Sequence, residues 1–163
     1  MTRLNLGCGD DKRDGYIGVD IRSGPAVQLI ADISKSLPLE DNSVEEILAN
    51  DILEHLQRYE VEPALREFYR ILKPKGHIRI KSPNIRLLAF ALAAGTIPDT
   101  EFERKIYGSQ DYKERPDLNT HKCGFSPAML IWLLTKCGFE IVSRSDSGEA
   151  GDWSNLIMEA EKP

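Results

Sequence analysis

The stretch LNLGCG, residues 4–9, constrains the fold more than any other part of this 163-residue chain. Apolar residues lead directly into two glycines, which is typical of a buried strand that ends where the backbone must approach a ligand closely. A second apolar stretch, IGVDI at residues 17–21, contains an acid at its end. The two stretches predict neighbouring parallel strands whose carboxyl ends form a binding edge.

Strand and helix signals alternate along the rest of the chain. Apolar runs predict strands at 27–31, 44–49 and 77–83, and FEIVSRS and SNLIMEAE flank a Gly- and Asp-rich turn suited to an antiparallel hairpin. Helical spacing over 61–72, an Asn84 N-cap and a Ser126–Pro127 start predict three helices. This order predicts an α/β fold with a three-layer Rossmann-like sheet, mostly parallel, that ends in a C-terminal antiparallel hairpin.

Two stretches depart from a regular alternation. Only seven residues, DDKRDGY, separate Gly9 from Ile17, whereas a parallel crossover with a full helix needs at least about 10–12 residues. We therefore predict a truncated first crossover helix. Residues 96–120 are polar without a clear apolar period and are predicted to be a lid-like insertion in one domain spanning residues 1–163.

Composition and charge exclude several classes of function. The net charge of −5 disfavours nucleic acid as the main partner. No apolar run approaches the roughly 20 residues that span a bilayer, and the first residues lack the layout of a secretory signal, so we expect a cytoplasmic protein without membrane contact. The three cysteines, at 8, 123 and 137, are not spaced as metal pairs, so we expect reduced thiols and no metal.

Residues 66–86 carry seven basic residues and one acid. The pattern is typical of a helix C-terminus followed by a strand with one solvated face. An anion-binding patch is the alternative.

Two cofactors fit the position of Asp20. A carboxylate at a strand end can accept hydrogen bonds from both hydroxyls of a ribose, which a nicotinamide dinucleotide or S-adenosylmethionine would supply. The dinucleotide fingerprint requires a third glycine, where this chain has Lys12, and an acid about 20 residues further on. Because Asp20 lies only 11 residues after Gly9, the spacing favours S-adenosylmethionine.

Five blocks of the chain resemble, in order, the motifs of class I S-adenosylmethionine-dependent methyltransferases of the small-molecule type with an L-E-H-L block. They are LNLGCG, IGVDI, ADISKSLPLEDNSVEEILANDILEHL, REFYRILKPKGHIRIKSPN and GFSPAMLIWLLTKCGFEIV. The resemblance covers most of the chain except residues 96–120. It implies methyl transfer from S-adenosylmethionine to a small-molecule or glycan-like acceptor.

The resemblance also implies roles for individual positions. The glycine loop would pass under the amino-acid part of the cofactor, Asp20 would bind the ribose, and Asp32 would face the exocyclic amine of adenine. Asn50 and Asp51 would lie beside the sulfonium and the acceptor, followed by Glu54 and His55. The implied cofactor-binding set is Gly7, Cys8, Gly9, Asp20, Ile21, Asp32, Ile33 and Asn50.

Four of these positions have plainer alternatives. Glu54 and His55 fit an ordinary polar helix face as well. Asp32 precedes Ser34 and is also suited to capping a helix. Cys8 between two glycines is explained more simply by tight packing than by a nucleophilic role.

A hydroxyl or amine acceptor would require a base near its proton. His121, which follows the polar insertion, is the preferred candidate because its unperturbed pKa near 6.5 suits the task. His55 and Asp51 are the competing candidates, and a solvated loop histidine is the alternative for His121. Tyr107 and Gln110 are candidate acceptor contacts.

Three classes of function therefore remain open at this point. They are a methyltransferase, a non-catalytic S-adenosylmethionine-binding protein and a nicotinamide-dependent oxidoreductase. The short first crossover would leave the cofactor site uncovered. We expect the insertion, the acceptor or another subunit of a homo-oligomer to close it.

Overall fold

The computed structural model describes residues 2–109, 119–146 and 153–163, and seven strands in these ranges form one sheet. The sheet order is β3-β2-β1-β4-β5-β7-β6, and β7 runs antiparallel to β5 and β6 while the other pairs are parallel. The predicted mostly parallel sheet with a C-terminal antiparallel hairpin is confirmed. The strands are β1 (Arg3–Leu6), β2 (Ile17–Asp20), β3 (Leu29–Ile30), β4 (Val44–Asn50), β5 (Leu72–Pro83), β6 (Glu140–Ser145) and β7 (Asn155–Glu161).

Four α-helices are described: α1 (Arg58–Ile71), α2 (Ile85–Ala93), α3 (Asp99–Tyr107) and α4 (Pro127–Lys136). The predicted caps are present: the Asn84 side chain accepts from the backbone N–H groups of Arg86 and Leu87, and the Ser126 hydroxyl accepts from that of Met129. No described helix is long and apolar enough to cross a membrane.

The first crossover, residues 7–16, contains turns and no helix, so the predicted truncation is confirmed. The next connection leads to β3, which is shorter than the five residues predicted. At this edge the side-chain oxygen of Gln28 accepts the N–H of Gly18 at 2.5 Å. The Gln28 side chain thus takes the place of a backbone carbonyl as the partner of the Gly18 N–H, and this shortens the hydrogen-bond ladder between β2 and β3.

The hydrophobic core lies on one face of the sheet. The register places Leu4 beside Ile47, and Ile47 beside Ile78, so these side chains share a face. Apolar residues of α1 and α4, including Phe68 and Leu134, pack against them in one buried cluster. Burial of this apolar stripe fixes both helices on the sheet.

The opposite face of the same strands carries ionised side chains. Arg3 pairs with Glu46 at 3.4 Å, and Arg79 lies 3.9 Å from Glu159. The Tyr16 hydroxyl also donates to Glu46 at 2.7 Å. Other cations of the 66–86 stretch pair with acids as well, which agrees with the interpretation of a helix end followed by a solvated strand face.

The structure adds a helix, α3, inside the stretch predicted to be a polar, lid-like insertion without a clear apolar period. Phe102 and Ile106, four residues apart, pack against a small cluster of Leu88, Ala91 and Ile97. Acids begin this helix and basic residues end it, which complements the helix dipole. The apolar face has two residues, too few to give a visible period.

Candidate active site

The glycine loop and Asp20 are joined by hydrogen bonds at the carboxyl ends of β1 and β2. The N–H of Gly9 donates to Asp20 Oδ2 at 2.9 Å, and the N–H of Arg22 donates to Oδ1 at 3.0 Å. Only 8 % of Asp20 is exposed. Since a carboxylate oxygen accepts more than one hydrogen bond, both oxygens keep capacity for two ribose hydroxyls.

Gly7 is required by its backbone conformation and by its neighbour. Its φ is +63°, and a Cβ atom there would lie 2.4 Å from Cδ1 of Ile52. A side chain at this position would push Ile52 out of place. The loop can therefore pass close to a ligand only with glycine here.

A cavity of about 400 Å³, here called the cofactor cavity, opens beside this loop. Its wall contains most of the residues that the resemblance assigns to cofactor binding. Asp32 belongs to the wall, and its Oδ1 also accepts the N–H of Ser34 at 2.9 Å, so the turn-capping alternative applies as well. The predicted residues in the wall are Gly7, Gly9, Asp20, Ile21, Asp32 and Ile33.

Two predicted cofactor residues are not part of this wall. Cys8 is buried with its Sγ 3.7 Å from the carbonyl of Ala26, and burial together with Asp20 raises the pKa of its thiol. It therefore packs behind the loop, as the simpler alternative predicts. Asn50 Oδ1 accepts from Arg79 at 3.0 Å, which turns the amide toward the charged face of the sheet.

A second cavity of about 310 Å³, here called the acceptor cavity, lies next to the first. Three residues line both cavities: Asp51, His55 and Asn119. We call this shared boundary the junction. The wall of the acceptor cavity also contains Glu54, Pro83, Arg104, Lys105, Gly108, Ser109, His121 and Asn155.

Asp51 is held at the junction in an unusual conformation. Its φ of +51° is rare for a residue with a side chain and costs roughly 1–3 kcal/mol. Its N–H donates to the carbonyl of Lys81 at 2.8 Å, and its Oδ2 lies 2.6 Å from Lys81 Nζ. Both contacts to β5 fix the carboxylate at the end of the neighbouring strand.

His55 and His121, far apart in sequence, form an edge-to-face pair with ring centroids 5.0 Å apart. Nδ1 of His55 lies 3.2 Å from the carbonyl of Thr120, and Nδ1 of His121 lies 3.1 Å from that of Lys105. A carbonyl can only accept, so each Nδ1 carries the hydrogen and each Nε2 is an unprotonated acceptor.

Burial keeps both histidines neutral. It lowers the pKa of His55 to about 4, with a further contribution from His121, and it lowers the pKa of His121 as well. The basic form of both rings is therefore populated at neutral pH.

The candidate acceptor contacts are not both described. The Tyr107 carbonyl accepts the N–H of His121 at 3.0 Å, while its side chain is exposed and lies outside the wall of the acceptor cavity. Gln110 lies outside the described residues.

The burial of Glu54, which the resemblance assigned to the L-E-H block without a role, is the feature that sequence reasoning missed. Glu54 lies in the 3-10 turn Leu53–His55 and is 1 % exposed. Burial, with Asp51 nearby, raises the pKa of its carboxyl to about 8. The N–H of Glu54 itself and then the Ser82 hydroxyl partly offset this rise in pKa, yet within the described part of the chain neither carboxyl oxygen has a partner in hydrogen-bond geometry. Its place between Leu53 and Leu56 was the only sequence signal of burial.

The sheet order, the glycine loop and the acid that ends β2 define a Rossmann-like fold of the methyltransferase type. Residues 4–80 match a family model described as a methyltransferase domain. This match covers 77 of the 163 residues and agrees with the resemblance of the sequence to class I S-adenosylmethionine-dependent methyltransferases.

Solved structures share this fold at low sequence identity. A SAM-dependent methyltransferase from Methanosarcina mazei is 18 % identical with a TM-score of 0.67, covering 99 % of this chain and 92 % of that one. A possible histamine N-methyltransferase from Thermotoga maritima is 22 % identical with a TM-score of 0.66 and coverages of 99 % and 82 %.

A third similar structure contains ligands. It is the 1,6-didemethyltoxoflavin-N1-methyltransferase of Burkholderia thailandensis with bound 1,6-didemethyltoxoflavin and S-adenosylhomocysteine, 16 % identical with a TM-score of 0.67 and coverages of 99 % and 70 %. No curated protein matches the chain.

Proposed function

We propose that this protein transfers the methyl group of S-adenosylmethionine through the junction to a small-molecule acceptor in the acceptor cavity. The observation that carries the proposal is the pair of adjoining cavities, one of them walled by the cofactor motif of the family. The Burkholderia relative, which holds S-adenosylhomocysteine and its acceptor together, supports such an arrangement.

The wall of the cofactor cavity fits the parts of S-adenosylmethionine. Asp20 would accept from both ribose hydroxyls, and the apolar side chains of Ile21 and Ile33 would flank the adenine. The Asp32 carboxylate suits the exocyclic amine, because it accepts hydrogen bonds. The glycine loop would contact the amino-acid part, which the conformation of Gly7 permits.

When bound, S-adenosylmethionine supplies a sulfonium methyl group and a neutral leaving group. In the transfer the bond from acceptor to methyl carbon forms as the carbon–sulfur bond breaks, and the acceptor proton leaves. The walls of the junction align acceptor and methyl, and positioning of this kind contributes up to roughly 7–11 kcal/mol. No metal is required for this displacement.

The histidine pair is proposed to receive the acceptor proton. Both Nε2 atoms are unprotonated, and His55 lines the junction itself while His121 lines the acceptor cavity. His55 is therefore nearer to the cofactor side, and His121 contacts its ring edge-to-face. Asp51, paired with Lys81, is the weaker candidate because a lysine already holds its carboxylate.

The size of the acceptor cavity favours a small molecule or a single sugar unit. Its volume of about 310 Å³ lies at the lower end of the range for small-molecule sites, roughly 300–1,000 Å³. A cytoplasmic location, in which S-adenosylmethionine is available, and a homo-oligomer that covers the site belong to the same proposal.

Calorimetry with S-adenosylhomocysteine and with NAD tests the cofactor assignment. We expect binding of S-adenosylhomocysteine alone, since Lys12 occupies the third glycine position of the dinucleotide motif. Binding of NAD instead would refute the proposal. Binding without methyl transfer to any acceptor would favour the non-catalytic alternative.

A further inference from the structure

The wall of the acceptor cavity carries acidic and cationic side chains from separate elements. Asp51 and His55 form the junction on its cofactor side, and Glu54, which lines the acceptor cavity only, directly precedes His55 in the 3-10 turn and is influenced by the charge of Asp51. The cations Arg104 and Lys105 belong to α3 and line the acceptor cavity but not the cofactor cavity. An acceptor that fits this cavity should carry complementary charges at its two ends.

Glu54 is an independent indication of what binds on the cofactor side. Its carboxyl group is buried in the cavity wall without a hydrogen-bond partner among the described residues. Such a group is costly and calls for an explanation. Asp51, Lys81, Ser82 and Cys123 are the side chains that interact with it electrostatically. The Ser82 hydroxyl oxygen also has no partner in hydrogen-bond geometry among the described residues, and only Lys81 is a cation, which Asp51 already neutralises. A positively charged or N–H-rich group on this side would satisfy it.

Arg104, on α3, is the complementary feature of the same wall. It is exposed in the last turn of α3 and makes no ion pair within the described part of the chain. A guanidinium recognises carboxylates and phosphates by paired hydrogen bonds. An anionic group of the acceptor could therefore be held there, at a part of the wall that the cofactor cavity does not share.

We propose that the acceptor is a small zwitterion whose amine lies at the junction, beside Glu54 and Asp51, and whose carboxylate or phosphate lies against Arg104. This inference rests on the proposed function and narrows it to N-methylation of an amine that also carries an anionic group. The ammonium first loses one proton to the histidine pair, the freed lone pair of the nitrogen forms the bond to the methyl carbon as the carbon–sulfur bond breaks, and the products are a methylated ammonium and a neutral thioether.

Binding measurements in the presence of saturating S-adenosylhomocysteine test the proposal without turnover. Two matched sets serve as probes: 4-aminobutyrate with butylamine and butyrate, and 2-aminoethyl phosphate with ethanolamine and ethyl phosphate. We expect at least one zwitterion to bind more tightly than both of its half-molecules, and the better set identifies the anion. If neither zwitterion exceeds its halves, the inference is overturned, while bound S-adenosylhomocysteine leaves the cofactor assignment intact.

Arg104→Gln tests the anion contact. Because Arg104 is exposed, we expect a loss of about 5-fold in affinity for the zwitterion, the upper end for exposed charge pairs, and no change for the amine half. Arg86→Gln, an exposed arginine on α2, is the matched control and should change neither. An unchanged zwitterion affinity in Arg104→Gln would remove Arg104 from the site.

Proton release tests the amine contact. Because the pKa of Glu54 is raised to about 8, its carboxyl is mostly protonated at pH 7, and a cation beside it would lower that pKa. Calorimetry in two buffers of different ionisation enthalpy, with 4-(trimethylammonio)butyrate as a cation that cannot titrate, should show release of up to about one proton. Glu54→Gln should bind the probe without release. Equal release in both proteins would show that the amine does not act on Glu54.

Discussion

Replacement of Asp20 by alanine is the most informative change in the cofactor cavity. The carboxylate is 8 % exposed and accepts from the backbone N–H groups of Gly9 and Arg22. In the proposed complex it also accepts from the ribose. Hydrogen bonds to a charged group contribute about 1.5–3 kcal/mol, so Asp20→Ala should weaken S-adenosylhomocysteine binding by roughly 10- to 150-fold.

The same change also removes the link between the glycine loop and β2. Both N–H groups lose their acceptor, so we expect a lower free energy of unfolding, by about 1–3 kcal/mol. Thermal denaturation without ligand measures this cost separately. Asp20→Asn is the matched control, since it keeps the size and one acceptor oxygen and should lie between wild type and Asp20→Ala in affinity. A folded Asp20→Ala protein with wild-type affinity would refute the ribose assignment.

Three further predictions concern the loop, the histidines and Glu54. Gly7→Ala should weaken S-adenosylhomocysteine binding more than Gly15→Ala. Both glycines have positive φ, but only at Gly7 would the added methyl group contact Ile52. Equal losses of affinity in calorimetry would contradict this, because backbone strain alone would then explain them. His121→Ala should lower turnover by about 10²–10⁴-fold while cofactor affinity stays nearly intact. Comparison with His55→Ala in the same acceptor assay identifies which histidine is the direct base. Full activity in both variants would show that neither acts as a base and that catalysis rests on positioning of the substrates. Wild-type protein should lose stability relative to Glu54→Gln as pH rises from 4.5 to about 8. In that range the unfolded chain releases the Glu54 proton while the folded protein still holds it. If the free energy of unfolding of both proteins changed equally with pH, the raised pKa of Glu54 would be contradicted.

Local signals in the sequence were sufficient for much of the fold. Asn84 and Ser126 cap helices as predicted, because capping depends on a side chain and the next few backbone groups. The missing helix after Gly9 followed from chain length alone. The acid at the end of β2 was placed correctly because neighbouring parallel strands bring their carboxyl ends to one edge.

Features that depend on tertiary packing could not be predicted in this way. The helix α3 is stabilised by Phe102 and Ile106 against α2, a contact between separate segments. Glu54 fits a polar helix face in the sequence, and its burial accompanies contacts with a distant segment, because the N–H groups of Lys122 and Cys123 donate to its carbonyl. The side chain of Asn50 turns toward Arg79 because the sheet register brings β5 beside it.

The most direct test of the central claim is to locate the methyl group of bound S-adenosylmethionine. Isotope-filtered nuclear Overhauser spectra of the protein with S-[methyl-¹³C]adenosylmethionine report which protons lie next to that carbon, and no acceptor is needed. The two-cavity account predicts contacts to the His55 ring and to Asn119 at the junction. Contacts confined to residues outside both cavities, or a bound cofactor whose methyl is remote from His55, would contradict it.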